Sequence, residues 1–183
     1  MTFFILLSLS QLPRMMQTLD REFDLSSRPD MHAAAWINDH LPGDAFFLVN
    51  AFEYQKTPAG SDAGWWLQLL TKRQTTVPPQ YASFVEEPIV ENYRQITTEL
   101  TRQLYTSPQM SDEDKAALCR FPDPITHVYI GQKRGEVDKA LFTHNDHAML
   151  SPQLLLDDPV FKLIYNQDRV MIFEFDRGVC VDE

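Results

Sequence analysis

The chain reads as an α/β protein, a mixed β-sheet of about five strands with helices packed on it, and three observations carry that reading. A helical pattern stops at Pro42-Gly43-Asp44, and a nearly all-apolar run, Ala45 to Ala51, follows at once. Such a run fits a strand covered on both faces. Ile125-Thr126-His127-Val128-Tyr129-Ile130-Gly131 alternates and ends on glycine, which reads as a second strand. The chain then closes with Phe161, Leu163 and Tyr165 alternating before Asn166-Gln167-Asp168-Arg169, and with Val170, Ile172 and Phe173 to Phe175 after it. That is a hairpin pattern, and it favours a mixed sheet over a doubly wound parallel one.

In order, Leu19 to Pro29 is a polar connector, and Asp30 is placed as the N-cap of a helix carrying Ala33, Ala34, Trp36, Ile37 and Leu41 at helical spacing. Glu53 to Asp62, with Pro58 and Gly60, is read as a polar loop. Trp65 to Leu70 forms a helical turn, and Thr75-Thr76-Val77 a short strand ended by Pro78-Pro79. Pro88 opens the clearest helix, whose apolar stripe is Ile89, Val90, Tyr93, Ile96, Leu100 and Leu104. Ser107-Pro108 breaks it, and Ser111 to Asp114 has capping-box spacing with Asp in the reciprocal place. Ser151-Pro152 starts a last helical turn through Leu154 to Leu156.

The chain has 183 residues, enough for one domain with its own core. Residues 1–29 are an apolar arm and connector, and residues 30–183 a single α/β domain. A formal charge of −10 argues against nucleic acid as a partner, because that binding needs clustered Lys and Arg. Cys119 and Cys180 fit neither metal spacing nor a CxxC motif, and are read as two unrelated thiols, with one disulfide as the alternative. The apolar run Phe3 to Leu9 is too short to span a bilayer and lacks the flanks of a secretory signal. It remains open as the end of a membrane helix, a vestigial signal, or an arm that docks on the domain.

Candidate chemistry is sparse. The six glycines form no phosphate loop, and there is no nucleophile elbow. Glu86-Glu87 and Asp157-Asp158 are adjacent carboxylates whose side chains point apart, unsuited to paired acid–base work. His144, Asp146 and His147 are the one cluster with ligand-like residues, and would support a self-contained metal-dependent enzyme only with a further ligand from elsewhere. The densest signal is Gly60 to Pro79, where Asp62 precedes Gly64-Trp65-Trp66 and Lys72-Arg73 follows. Asp62 can cap the Gly64 turn, which is the favoured reading. It can also act as a functional carboxylate beside the Trp65–Trp66 platform, with Lys72 and Arg73 placed to pair with it or to meet an anionic group.

The stretches Asp44 to Asn50 and Asp62 to Pro79, led by Asp30 to Ile37 and followed by Thr126 to Gly131 and the Phe161 to Phe175 hairpin, resemble a known group. They look like the soluble C-terminal domain of large multi-spanning bacterial membrane proteins similar to lipid-sugar-dependent (GT-C type) glycosyltransferases. A fainter likeness is to oligosaccharyltransferase catalytic subunits, whose Trp-Trp-Asp-Tyr-Gly motif grips the acceptor peptide. Here the order is Asp62-Ala63-Gly64-Trp65-Trp66, so that motif is not reproduced. The resemblance implies an extracytoplasmic domain with no catalytic centre and no cofactor of its own. Its partners would be the remainder of the membrane protein and a glycan or peptide acceptor, met through Asp62, Trp65, Trp66, Lys72 and Arg73. Phe3 to Leu9 would then be the tail of a membrane helix. The rival expectation from a third class is a stand-alone interaction module.

Overall fold

A computed structural model describes residues 26–54, 57–77, 92–106, 109–135 and 148–180. Helix α1 (Arg28–His40) leads into β1 (Phe46–Val49), and a two-stranded hairpin of β2 (Ala51–Tyr54) and β3 (Thr57–Gly60) follows. A 3-10 turn (Ala63–Trp66) runs into α2 (Leu67–Thr71), then β4 (Gln74–Thr75), α3 (Tyr93–Thr106), α4 (Asp112–Cys119) and β5 (His127–Ile130). The chain ends with α5 (Pro152–Leu156), β6 (Phe161–Gln167), β7 (Val170–Phe175) and a 3-10 turn, Arg177–Val179.

The main sheet has five strands in the order β4-β1-β5-β7-β6. β1 runs parallel to β4 and to β5, with Phe47 opposite both Thr75 and His127. β7 pairs antiparallel with β5 and β6. The sheet is therefore mixed, as the sequence predicts. Every residue of β1 and of β5 is buried, so the alternation read in Ile125 to Gly131 does not mark a half-exposed strand. In the closing hairpin the turn is Asp168-Arg169, with φ of 50° and 72°. Two consecutive left-handed residues match the right-handed twist of the strands they join.

Local chemistry explains most helix ends. Ser111 and Asp114 form the predicted reciprocal cap of α4, with Asp114 N donating to Ser111 Oγ at 3.1 Å and Ser111 N to Asp114 Oδ2 at 2.9 Å. Helix α1 differs from expectation. Its cap is Ser27, and Asp30 sits three residues later, accepting from Ser27 N at 2.8 Å. A carboxylate satisfies the first-turn donors from either place, which is why composition alone misplaces the start. Pro42 ends α1, leaving Leu41 to donate its N–H to Ile37 O at 3.0 Å.

Within the stretch expected to be a loop, Glu53, Tyr54 and Thr57–Gly60 are strand. Ala51 pairs with Gly60 and Tyr54 with Thr57, and the hairpin packs on α3, where Arg102 holds Glu53 with two contacts of 2.6 Å. Pro58 is tolerated because a two-stranded ribbon has only edges. On α3, Leu100 and Leu104 are buried and Ile96 half-buried, while the stretch from Pro88 to Val90 lies outside the described residues.

Cys119 and Cys180 are joined in a disulfide across 61 residues, which corrects the reading as unrelated thiols. The bond pins the turn after β7 to the end of α4. No helix among the described residues is long and apolar enough to cross a membrane. The arm at Phe3 to Leu9 lies outside them.

Candidate functional site

The topology marks one place where a site is expected. From β1 the chain moves to β4 on one side, then returns past β1 to β5 on the other. The C-terminal ends of β1 and β5 therefore flank a switch point, where open α/β sheets leave a crevice. Asn50 follows β1 there, and Gly131 follows β5.

Two carboxylates converge on this point. Asp62 is fully buried, receiving Gly64 N on Oδ1 at 2.8 Å and Gly131 N on Oδ2 at 3.0 Å. Asp30 is buried beside it, and its Oδ1 accepts from Tyr129 Oη at 2.9 Å and from Gln132 N at 3.0 Å. Gly131 suits this crowding, because a Cβ there would lie 3.1 Å from Asp62 Oδ2 and 3.2 Å from Asp30 Oδ1, and the carboxylates would have to give way by a few tenths of an ångström. Burial pushes the Asp62 carboxyl up to about 6, against the amides of Gly64 and Gly131 and with the help of neighbouring Asp30. Asn50 Nδ2 also faces this carboxyl and favours its ionised form, but without hydrogen-bond geometry. Tyr129 is raised far above the ordinary phenol range by burial, then by the two carboxylates.

This arrangement is a polar knot. It ties the first turn of α1, the 3-10 turn before α2 and the end of β5 into one unit, with the carboxylate oxygens spent on protein donors. The first chemical role of Asp62 is thus the predicted one, capping Gly64.

The other predicted residues separate. Trp65 is buried in the core at 8% exposure, its ring packed where a Cβ on Gly60 would stand. Trp66, its neighbour, is 40% exposed. Lys72 is exposed and left-handed at the end of α2, with φ of 59°. Arg73 corrects the expectation of a partner for Asp62. Its guanidinium donates to the carbonyls of Thr71, Leu41 and Pro42 at 2.7, 2.8 and 3.0 Å and to Asn38 Oδ1 at 3.2 Å. Cations suit helix C-terminal carbonyls, and Arg73 closes the end of α1. Asp62 therefore meets Asp30, Tyr129 and Gly131 instead of Lys72 and Arg73. His144, Asp146 and His147 lie outside the described residues. Among the described residues no three His, Cys, Asp or Glu side chains are grouped to hold a metal.

Reading the sequence missed Asp30, Asn50, Tyr129 and Gly131 as members of one cluster. The available signals were a lone Asn at the end of an all-apolar run and a Tyr-x-Gly at the end of another. No protein-family model, curated protein or solved structure matches this chain.

Proposed function

We propose that this chain is a non-catalytic, extracytoplasmic domain of a membrane-embedded, glycosyltransferase-like protein. It positions an acceptor for the membrane-side active site, or caps that site. The Gly60 to Arg73 stretch is the contact surface, and the exposed indole of Trp66 carries the reading. The polar knot, Trp65 and Arg73 are committed to holding the frame, whereas Trp66 presents a large apolar surface outward from it. A hydrophobic ring held out by a fixed frame suits recognition better than stability. The Cys119–Cys180 disulfide supports the placement, since such bonds persist in oxidising compartments.

An antibody to the domain tests the proposal in source cells. A band several times larger than 21.2 kDa in the membrane pellet is the expected result. A band of 21.2 kDa in the soluble fraction would overturn it. In the parent protein, Trp66→Ala should lower sugar transfer at least tenfold while the domain keeps its thermal transition. Full transfer by that variant would remove the contact role.

A further inference from the structure

We infer that the switch point at the ends of β1 and β5 binds a small oxyanion, held by the Asn50 carboxamide, the Ser61 hydroxyl and Arg134. Neither Trp66 nor the membrane reading enters, so this site and the function proposed above are tested apart.

Buried polar groups are nearly always hydrogen-bonded, so each exception needs a reason. Among the described residues three buried side-chain atoms have no hydrogen-bond partner: Asn50 Nδ2, Ser61 Oγ and Arg134 Nε. Asn50 and Ser61 are 0% and 2% exposed. The three residues come from separate segments and meet at one place. Ser61 N donates to Asn50 O at 3.2 Å, which continues the ladder where Ala51 faces Gly60. Residues opposite each other on a ladder present their side chains to the same face. The Asn50 carboxamide also packs on Gly135, where a Cβ would lie 2.6 Å from Nδ2. Arg134 is the chain neighbour of Gly135, and its N–H closes a turn onto Gly131 O at 2.8 Å. All three therefore border the ends of β1 and β5, where an open α/β sheet binds its ligands.

The chemistry of the three atoms selects the occupant. Asn50 Nδ2 and Arg134 Nε only donate, and the Ser61 hydroxyl can donate as well. The acceptors around them are already engaged. Asn50 Oδ1 takes Leu150 N at 2.8 Å, Asp62 takes the amides of Gly64 and Gly131, and Asp30 takes Ser27, Tyr129 and Gln132. Donors that include a permanent guanidinium charge bind an anionic oxygen more strongly than a neutral one. Asp62 is the carboxylate nearest to Asn50 Nδ2, and it opposes such a guest. The Asp30 carboxylate, Tyr129, the Asn50 carboxamide and the amides of Gly64 and Gly131 face it. Burial holds the Asp62 carboxyl up at about 6, so a proton taken up there removes the repulsion. Oxyanion binding is thus coupled to proton uptake, and weakens as pH rises through about 6.

The test titrates sodium sulfate into the isotope-labelled full chain, with sodium chloride at matched ionic strength as control, and reads the Asn50 side-chain NH2 signals by NMR. Sulfate keeps its charge across the pH range used. The expected result is a saturable, sulfate-specific shift, several-fold tighter at pH 5 than at pH 7.5. Ser61→Ala and Arg134→Asn should each weaken it several-fold, and Asn tolerates the φ of 56° at position 134. A parallel titration with formate separates a carboxylate ligand from a tetrahedral one by which binds tighter. Shifts no larger than those in chloride overturn the inference, and leave ordered water as the partner of these atoms. Binding that is equal in both variants overturns it too, because the ion then sits elsewhere. So does an affinity that is the same at both pH values, since a site beside Asp62 must feel its charge. Thermal transitions report whether the variants fold, and the shift and its pH dependence in the parent chain decide the matter if one does not.

Discussion

Trp65 and Trp66 are neighbours in the chain and opposites in the fold. One fills a corner of the core against Gly60, and the other stands 40% exposed. The same contrast separates the whole switch-point region from the face outside it. Within, Asp30, Asp62 and Tyr129 spend their polar atoms on each other's elements. Outside, apolar side chains have been left uncovered. The difference shows that a dense motif need not be one site: here a structural half holds up a contact half.

The sharpest way to break this comparison is to truncate each indole in turn. Trp65→Ala should cost about 3–5 kcal/mol, measured by chemical denaturation, since it empties a packed corner. Trp66→Ala should stay within about 1 kcal/mol of the parent. Equal costs would mean that both rings are core and that the outward face has no separate role.

The disulfide gives the next largest effect. Closing a loop of 61 residues removes about 4 kcal/mol of denatured-state entropy in the chain-entropy description. Cys119→Ser with Cys180→Ser should lower stability by that order, and reductant should do the same to the parent. A denaturation midpoint indifferent to reductant would show the bond is not formed.

Asp62 sharpens the buried side through pH. Its carboxyl is held at about 6 in the fold against 3.8 for the unperturbed group, so the folded chain binds this proton more tightly. Its contribution is fully present below about pH 3.8 and is lost as pH rises through about 6. About two pH units correspond to roughly 3 kcal/mol between those limits. Asp62→Asn sets an NH2 group against Gly131 N–H, so it should be less stable at pH 4. Its stability should also change less between pH 4 and 7 than that of the parent. Identical pH slopes in the two chains would show that Asp62 does not carry the shift.

Among the buried groups the smallest effect expected is that of Tyr129→Phe. It deletes one donor to the Asp30 carboxylate while Gln132 N remains, and should cost about 1–3 kcal/mol in urea denaturation. No loss of stability would show that the Tyr129 bond does not help hold the knot.

How much was legible follows from the range of each interaction. The turn from α1 into β1, the α4 cap and the closing hairpin are written in patterns a few residues long, and all three form where the sequence places them. Polar composition and Pro58 give the β2–β3 hairpin the look of a loop, because the support of that ribbon comes from α3, including Arg102. The start of α1 was misplaced by three residues because Ser27 and Asp30 can each serve as cap, and only the geometry of the first turn separates them.

By itself, then, the sequence determined the α/β class and the mixed sheet and favoured the capping role of Asp62, because periodicity and turn chemistry act within one or two elements. Only the tertiary structure decided that Cys119 meets Cys180, that Arg73 serves α1 instead of Asp62, and that one Trp is core and the next is surface. Those outcomes depend on contacts between residues far apart in the chain, such as Asp30 with Tyr129 and Asp62 with Gly131. Helical periodicity allows either indole to face inward, and the packing of Gly60 against Trp65 is what chooses.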